Sequence, residues 1–359
     1  MRFARTDDQV AFRDAVRELL AKECPPAAVR AAWAAPVGEL DRGVWDSLDA
    51  MGVLGLLVAE SDGGMGLDET YLVPILEECG RVALPHPIVE TAMVAAPLIG
   101  VRKGMVSTDL GGPHVPCAAD ADTLLLRHGD AIVCVAPSDA ELTAVDTVDR
   151  ARRAGRVHST EPATQRHATD GDMSQVHGAD DKVTAGAAAD KAGRDDEATA
   201  GTDMQIVADD PHIVDLAIDR GALGTAAILV GLGQAMLDLT VGYVRERHQF
   251  GVPVGSFQAV KHHLADVALA LEFARPAVWR AAWSVAHDTS TRARDVSMAK
   301  ALANDAAELA GRKALQCHGA IGYTVEADLH LYMKRTWALS RSWGDTAHHT
   351  RRVASALST

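Results

Sequence analysis

Basic side chains are in short supply: 35 lysines and arginines stand against 49 aspartates and glutamates, a formal net charge of −14. Binding to a nucleic-acid backbone depends on clustered Lys and Arg, and no basic stripe occurs in this chain, so nucleic acid is excluded as a partner. Cysteine is sparse as well. Cys24, Cys79, Cys117, Cys134 and Cys317 form an odd, scattered set without the C-x-x-C spacing of zinc or redox sites. They are read as reduced thiols, and no metal is expected. The opening residues, Met1 to Gln9, turn polar at once and lack the apolar stretch of an export signal, so a cytoplasmic protein is expected. The longest apolar run, around Ala222–Gly233, includes Thr225 and falls short of the roughly 18–20 residues a bilayer span needs. One segment lacks far more. From His158 to Gln205 there is no Leu, Ile, Phe, Tyr or Trp, and residues 161–205 hold ten acidic against four basic side chains. Such a stretch cannot bury enough apolar area to offset the entropy of ordering it, so 158–205 is predicted to be a disordered insert.

Apolar residues are nevertheless ample, at 48% of 359, which suits two or three domains with real cores. Residues 1–104 read as helical. Thr6-Asp7-Asp8-Gln9 fits a capping box ahead of Phe12, Val16, Leu19 and Leu20 at helical spacing. Further helices are predicted over Val44–Met51, closed by Gly52, and over Thr70–Cys79, closed by Gly80, with the Gly63-Gly64-Met65-Gly66 loop between them. Residues 105–157 change pattern: Asp122–Leu126 and Ala131–Ala136 are short apolar runs bounded by Gly, Asp and Pro, as strands are. From Ile206 onward the chain is predicted to be helical again, over about 213–247, 256–287, 292–317 and 328–357, with a bend near Trp343-Gly344. Four such helices with short turns make an antiparallel bundle. The fold class is therefore mainly α, divided as 1–104 helical, 105–157 a reduced β-domain, 158–205 the insert and 206–359 the bundle.

Several apparent motifs reduce to packing. Gly231-Leu-Gly233 lacks the third glycine of a dinucleotide fingerprint and lies inside a helix, where close helix packing explains it. His262-His263 and His348-His349 are neighbours pointing about 100° apart, so neither pair can pinch a metal, and solvated or capping roles are expected. Trp279 and Trp283 share a helix face and suit core or interface packing. Two segments offer more. In Tyr243 to Gln258 a helix ends at Arg247, turns through Gly251 and Pro253, and restarts at a Ser256 cap. Arg247, Gln249 and Phe250 supply a phosphate-pairing fork, an amide and an aromatic face, although a salt-bridged Arg and a core Phe would fit the same residues. Gln316 to Thr324 is a glycine-containing helix end where backbone can approach a ligand closely.

Together, about 60 residues apart in a helical C-terminal half, these two segments resemble the acyl-CoA dehydrogenase family. The resemblance extends to Phe3…Thr6-Asp-Asp-Gln9, Trp45…Gly52-Val-Leu-Gly55-Leu56, Gly63-Gly64-Met-Gly66-Leu67 and Glu77-Glu78-Cys-Gly80-Arg81, and covers 1–104 and 213–359. It implies a helical domain, a middle β-domain and a four-helix bundle enclosing FAD and a CoA thioester, with the bundle of one chain reaching over to its neighbour's FAD. It implies that Arg247 contacts the pyrophosphate, that Gln249, Phe250 and Gln258 lie near the adenosine, and that Gln316, Gly319 and Gly322 cradle the same nucleotide. The family reaction removes an α-proton to a glutamate while the β-hydrogen leaves as hydride to flavin N5.

The chain departs from that pattern where the glutamate belongs. The loop before the last helix reads Ser342-Trp343-Gly344-Asp345-Thr346, with Trp343 at the expected position. The family's other position, counted back along the first bundle helix, arrives near Gly221, leaving Asp219 and Asp345 as fallback carboxylates. The flavin-contacting middle strands are reduced too. Short chains without the glutamate pair with a complete homologue in the heterotetrameric acyl-CoA dehydrogenases of bacterial steroid side-chain degradation, and the ending Gly344-Asp345-Thr-Ala-His348-His349 resembles theirs. The resemblance thus implies FAD as cofactor, a full-length homologous subunit as partner, a bulky steroid-type acyl-CoA as substrate, and an electron-transfer flavoprotein or similar acceptor. The alternatives are a self-sufficient homo-oligomeric dehydrogenase with a relocated base and a non-catalytic structural homologue.

Overall fold

The computed structural model describes residues 4–101, 104–158 and 205–358. The predicted insert lies outside the described residues apart from His158 and Gln205. The first helix, α1 (Asp7–Glu23), starts at Thr6, whose side chain accepts from the Gln9 amide while the Gln9 side chain bonds back to the Thr6 amide. That is the reciprocal cap the sequence predicts. α2 (Pro26–Ala34) and α3 (Gly43–Ala50) follow, then α4 (Glu69–Arg81), capped by Asp68 and buried along most of its length. The apolar stretch Val89–Ala95 winds as a π-helix and runs into α5 (Ala96–Ile99). π-Turns are rare and concentrate at functional sites. Here Thr91 anchors the turn by donating to the Val106 carbonyl at 2.7 Å and accepting from the Val106 amide at 3.0 Å.

That contact opens a β-layer richer than the two strands predicted. β1 (Val106–Thr108) pairs in parallel with β2 (Thr123–His128), which pairs antiparallel with β3 (Ala131–Val135). β4 (Leu142–Ala144) and β5 (Gly155–Val157) form a separate hairpin-like pair. The open edge of β3 is covered by β6 (Gln205–Ala208), so Gln205–Ala208 is strand rather than insert or helix. The physical reason is edge satisfaction: an unpaired strand edge needs a backbone partner, and Ile206-Val207 are β-branched residues suited to supply it. A small separate core of Val115, Leu124, Leu126, Val133 and Val135 lies beneath.

The bundle begins with α6 (Pro211–Glu246), which has Asp210 as N-cap and Pro211 in its first turn. By length and apolarity alone α6 could cross a membrane, a feature the uninterrupted-run criterion missed. Its apolar face is instead the centre of the core, packed against α4, α7 (Gln258–Ala286), α8 (Arg292–His318) and α9 (Leu329–Leu339). Gly231 shows why the Gly231-Leu-Gly233 pair is there: a Cβ on Gly231 would lie 2.0 Å from the Glu77 carbonyl oxygen of α4. The predicted last helix is two. α9 stops at Leu339, and α10 (Thr346–Leu357) starts from an Asp345 N-cap whose side chain accepts from the His348 amide at 2.8 Å. Between them Trp343 (φ 59°) and Gly344 (φ 98°) turn the chain through left-handed backbone. All five cysteines are free, four buried and Cys317 half-buried.

Candidate functional site

Two places collect the residues singled out above. The first is the end of the bundle where α6 and α8 finish side by side. Arg247 caps α6 with its amide on the Tyr243 carbonyl. The chain then makes the two-residue strands β7 (His248–Gln249) and β8 (Val252–Pro253), joined by Phe250 (φ 53°) and Gly251 (φ 81°). Two successive left-handed residues give the mirror-image turn that matches strand twist. Ser256 does not cap α7. It sits in a 3-10 turn over Val254–Ser256, Phe257 holds the cap position, and no side chain bonds the first amides of α7. The tight return of β8 onto the Arg247 carbonyl displaces the helix start by two residues, with the Val254 amide donating to it at 2.8 Å.

The Gln316–Thr324 segment arrives beside this hairpin. Tyr243 stacks on His318 at 4.4 Å and 16°, and its hydroxyl donates to the His318 carbonyl at 3.4 Å. Arg247, Gln249, Gln258, Gln316 and Gly319 are all exposed, and Phe250 is 92% exposed with an edge contact to Phe257 at 6.2 Å. Both bland readings therefore fail: Phe250 is not core, and the Arg247 guanidinium has no hydrogen bond or ion pair among the described residues. Gly319 (φ 63°) has open space where a Cβ would stand, whereas Gly322 is buried under Leu315 and His318. The surface offers a free cationic fork, side-chain amides and a bare aromatic face, all directed outward.

The second place is the Trp343 turn. The indole is buried and lies flat on α6 at Gly221, where a Cβ would come within 2.3 Å of the ring. A Cβ on Gly111 would meet the same ring at 2.7 Å, and the Trp343 amide donates to the Gly111 carbonyl at 2.9 Å. The two positions that the sequence comparison marked for a base, Trp343 and Gly221, thus meet in space with an indole between them. Glu90 on the π-helix is wholly buried, and burial pushes its carboxyl up from the usual carboxylate range. Beneath the turn, Lys300 is wholly buried. Its Nζ donates to Asn304 Oδ1 at 2.7 Å and to the Leu339 and Gly344 carbonyls at 3.2 Å each, and burial draws its pKa down to about 7. His349 Nε2 lies 2.8 Å from the Trp343 carbonyl.

The fallback carboxylates are engaged elsewhere. Asp219 is fully buried, with Arg292 Nε donating to one oxygen and Arg352 Nη2 to the other, each at 2.9 Å. Asp345 is exposed at the head of α10, and the His348 amide holds its carboxyl low. Of the histidine pairs, His348 and His262 are exposed and His263 half-buried, but His349 is core, 1% exposed, because the Trp343 carbonyl needs a donor there. Trp279 donates from Nε1 to Glu77 at 3.0 Å, a half-buried packing role. Among the described residues no three His, Cys, Asp or Glu side chains could share a metal ion. Sequence reasoning passed over Glu90 and Lys300. Their one signal is a lone charge inside an apolar run, in Ile88-Val-Glu90-Thr-Ala-Met93 and in Met298-Ala-Lys300-Ala-Leu302.

Burial lowers His86 and His349 from the ordinary 6.5 to about 4. Between those values the unfolded chain takes up protons that the folded chain refuses, so stability falls as pH drops from 6.5 towards 4. Each histidine contributes up to roughly 3 kcal/mol of this loss. The melting temperature is expected to fall across that window, and His349→Gln to flatten the slope by about half. An unaltered slope in His349→Gln would mean that His349 charges without cost.

Comparison with known proteins adds the following. The family model for the acyl-CoA dehydrogenase N-terminal domain matches residues 6–101, and that for the acyl-CoA dehydrogenase C-terminal domain matches residues 212–358. The acyl-CoA dehydrogenase IpdE2 of Mycobacterium tuberculosis is 30% identical over 341 residues, covering 92% of this chain and 91% of that protein. Among solved structures, the ChsE4-ChsE5 complex from Mycobacterium tuberculosis superposes with a TM-score of 0.79 at 20% identity, covering 100% of this chain and 99% of the other. The Tcur3481-Tcur3483 steroid ACAD G363A variant does so with a TM-score of 0.77 at 21% identity, covering 98% of each chain. The two structures share the fold, the two matched domains flank the β-layer described above, and IpdE2 matches nearly end to end: the chain belongs to the acyl-CoA dehydrogenase family.

Proposed function

We propose that this chain is the base-lacking subunit of an FAD-dependent acyl-CoA dehydrogenase, completing FAD sites that lie mainly on a homologous partner which carries the catalytic glutamate. The observation that carries this reading is the Trp343 indole seated between Gly111 and Gly221, where a substrate α-carbon and its base would otherwise meet. Asp219, locked between two arginines, and Asp345, capping α10, are poor candidates for a relocated base. The nucleotide end fits FAD in a different way. Arg247 retains free donors for a pyrophosphate, Phe250 a flat face for an adenine, and Gly319 an open backbone approach, on a surface that needs a second wall to close it. Bound FAD supplies the hydride acceptor of the reaction. Arg247 binds and orients the diphosphate through its fork, while the Trp343 turn keeps this chain's own cleft closed to water and substrate.

The partner reading is supported by the relatives: ChsE4-ChsE5 is a complex of two chains, and the Tcur3481-Tcur3483 pair is a steroid ACAD. By that analogy we take the substrate to be a bulky, steroid-derived acyl-CoA. The division into 1–104, 105–157, 158–205 and 206–359 is proposed on the same basis, with the strand Gln205–Ala208 assigned to the β-layer and the two flanking domains as the nucleotide-bearing frame.

Expressed alone, the chain should purify colourless and inactive, and co-expressed with a complete homologue it should give a yellow complex with one FAD per heterodimer. Stoichiometric FAD in the lone chain would refute this. In the complex, Arg247→Ala should weaken FAD retention roughly ten- to hundred-fold, the loss of a charge-assisted contact of about 1.5–3 kcal/mol. Arg247→Lys should restore only part, because one ammonium cannot reproduce the bidentate fork. Equal FAD affinity in wild type and both variants would leave Arg247 a solvated surface residue.

A further inference from the structure

The nucleotide-facing turn at the end of α8 is braced from the N-terminal domain. Beyond the 3-10 turn Gly319–Tyr323 the chain runs from Thr324 to Asp328 without regular structure before α9 begins. Burial does not hold this stretch, because Ile321, Tyr323 and Val325 are 40%, 80% and 68% exposed. Its local backbone bonds lie at its two ends: the Thr324 amide donates to the Ile321 carbonyl and the Leu331 amide to the Asp328 carbonyl, each at 3.0 Å. Between those ends the restraint comes from α2. Arg30 Nη1 donates to the Val325 carbonyl at 2.7 Å, Nη2 to the Glu326 carbonyl at 3.1 Å, and Nε to Asp328 Oδ1 at 2.8 Å. One planar guanidinium thus takes three acceptors from four successive residues, a match to its rigid fork of donors that an ammonium cannot reproduce. One turn further along α2, Trp33 meets His330 edge-on at 5.5 Å and lies under the Lys334 ammonium at 5.1 Å.

Asp328 shows what α9 gives up for this contact. It occupies the N-cap position of α9, where an aspartate ordinarily accepts from the first helical amides, yet its side chain makes no capping bond and goes to Arg30. The near end of the loop is fixed independently. Tyr243 stacks on His318, and Gly322 is packed so closely that a Cβ would stand 3.0 Å from the side chains of both His318 and Leu315. Between the two anchors Gly319, at φ 63°, has open space on its outer side. A loose loop would have to be ordered as its ligand binds, and fixing it beforehand removes that cost. We propose that Arg30 is a positioning residue for the nucleotide site: from the N-terminal domain it fixes the far end of the 319–328 loop and so presets the backbone that Gly319 offers to FAD. Arg30 acts through the loop rather than on the nucleotide. The inference rests on the reading of this bundle end as a FAD surface and assigns part of that surface's geometry to the other matched domain.

Hydrogen exchange on the lone chain reads the brace directly. In Arg30→Gln the amides of 319–328 should exchange about tenfold faster while those of α6 and α8 keep their protection. Arg30→Lys should fall between, because one ammonium cannot serve the three acceptors together. In the complex with the complete homologue, the FAD dissociation constant should rise about five- to tenfold in Arg30→Gln and less in Arg30→Lys. A residue serving stability alone would lower the melting temperature and leave the FAD affinity of the folded complex as it is. Arg247→Ala is the reference for the nucleotide reading. Unchanged exchange over 319–328 in Arg30→Gln would overturn the proposal at its first step. Unchanged FAD affinity in Arg30→Gln beside a weakened Arg247→Ala would overturn it and leave the nucleotide reading standing, whereas unchanged affinity in both variants would overturn both.

Discussion

Replacing Asp219 with asparagine is expected to lower the unfolding free energy by about 3–5 kcal/mol, the usual cost of removing one partner from a buried ion pair. Asp219 is fully buried on α6, and its two oxygens bond Arg292 of α8 and Arg352 of α10. Asparagine keeps the shape but leaves two guanidiniums sharing one neutral oxygen. Denaturant unfolding should show a shifted midpoint at unchanged slope, with a melting temperature lower by on the order of 10 °C. Turnover of the assembled complex should decline only with the folded fraction. If Asp219 were instead the general base, the pattern would invert: stability largely kept, and turnover down 10²–10⁴-fold. Asp345→Asn provides the contrast, because an exposed N-cap keeps most of its function as asparagine and should change either quantity little.

Trp343→Glu carries the second large effect. The substitution removes an indole that fills the gap between Gly111 and Gly221 and places a carboxyl beside Glu90, which burial already biases against ionisation. Cavity formation and like-charge burial together should cost about 3–5 kcal/mol, and the lone chain should stay colourless and inactive despite gaining a carboxyl there. Trp343→Phe keeps a ring between Gly111 and Gly221, so it should cost less. The readouts are the melting temperature and acyl-CoA dehydrogenation with an artificial electron acceptor. A yellow, active Trp343→Glu chain would show that a flavin already sits beside position 343 and would end the partner-base reading.

The legible parts of this protein were those fixed by neighbours in sequence. The Thr6/Gln9 box and the apolar spacing of α1 and α4 act within one or two helical turns, and they appear as local signals. The exposed set of Arg247, Gln249, Phe250 and Gly319 was likewise visible as a helix end and a glycine turn. Ser256 was misjudged because the return of the chain after β8, a contact made across seven residues, moved the start of α7. His349 was read as surface because adjacency says nothing of burial, which the Trp343 carbonyl imposes from six residues away. β6 was missed because its pairing partner, β3, lies about 70 residues earlier in the chain.

What the sequence determined alone was a charge balance unfit for nucleic acid, a mainly helical frame with short strands between its halves, and a glycine-containing helix end at Arg247. These follow from composition and from periodicities of a few residues, which need no knowledge of what packs where. Tertiary structure decided how that inventory is used. Only the crossing of α6 by the 340–345 turn brings Gly221 and Trp343 together. Only the meeting of α6, α8 and α10 turns Asp219 from a candidate base into a buried ion-pair hub. And only the approach of α2 to the loop before α9 gives Arg30 its three acceptors. The reason is range: a side chain's protonation, partners and accessibility depend on atoms within a few ångströms, and in this chain those atoms come from residues up to about 300 positions away.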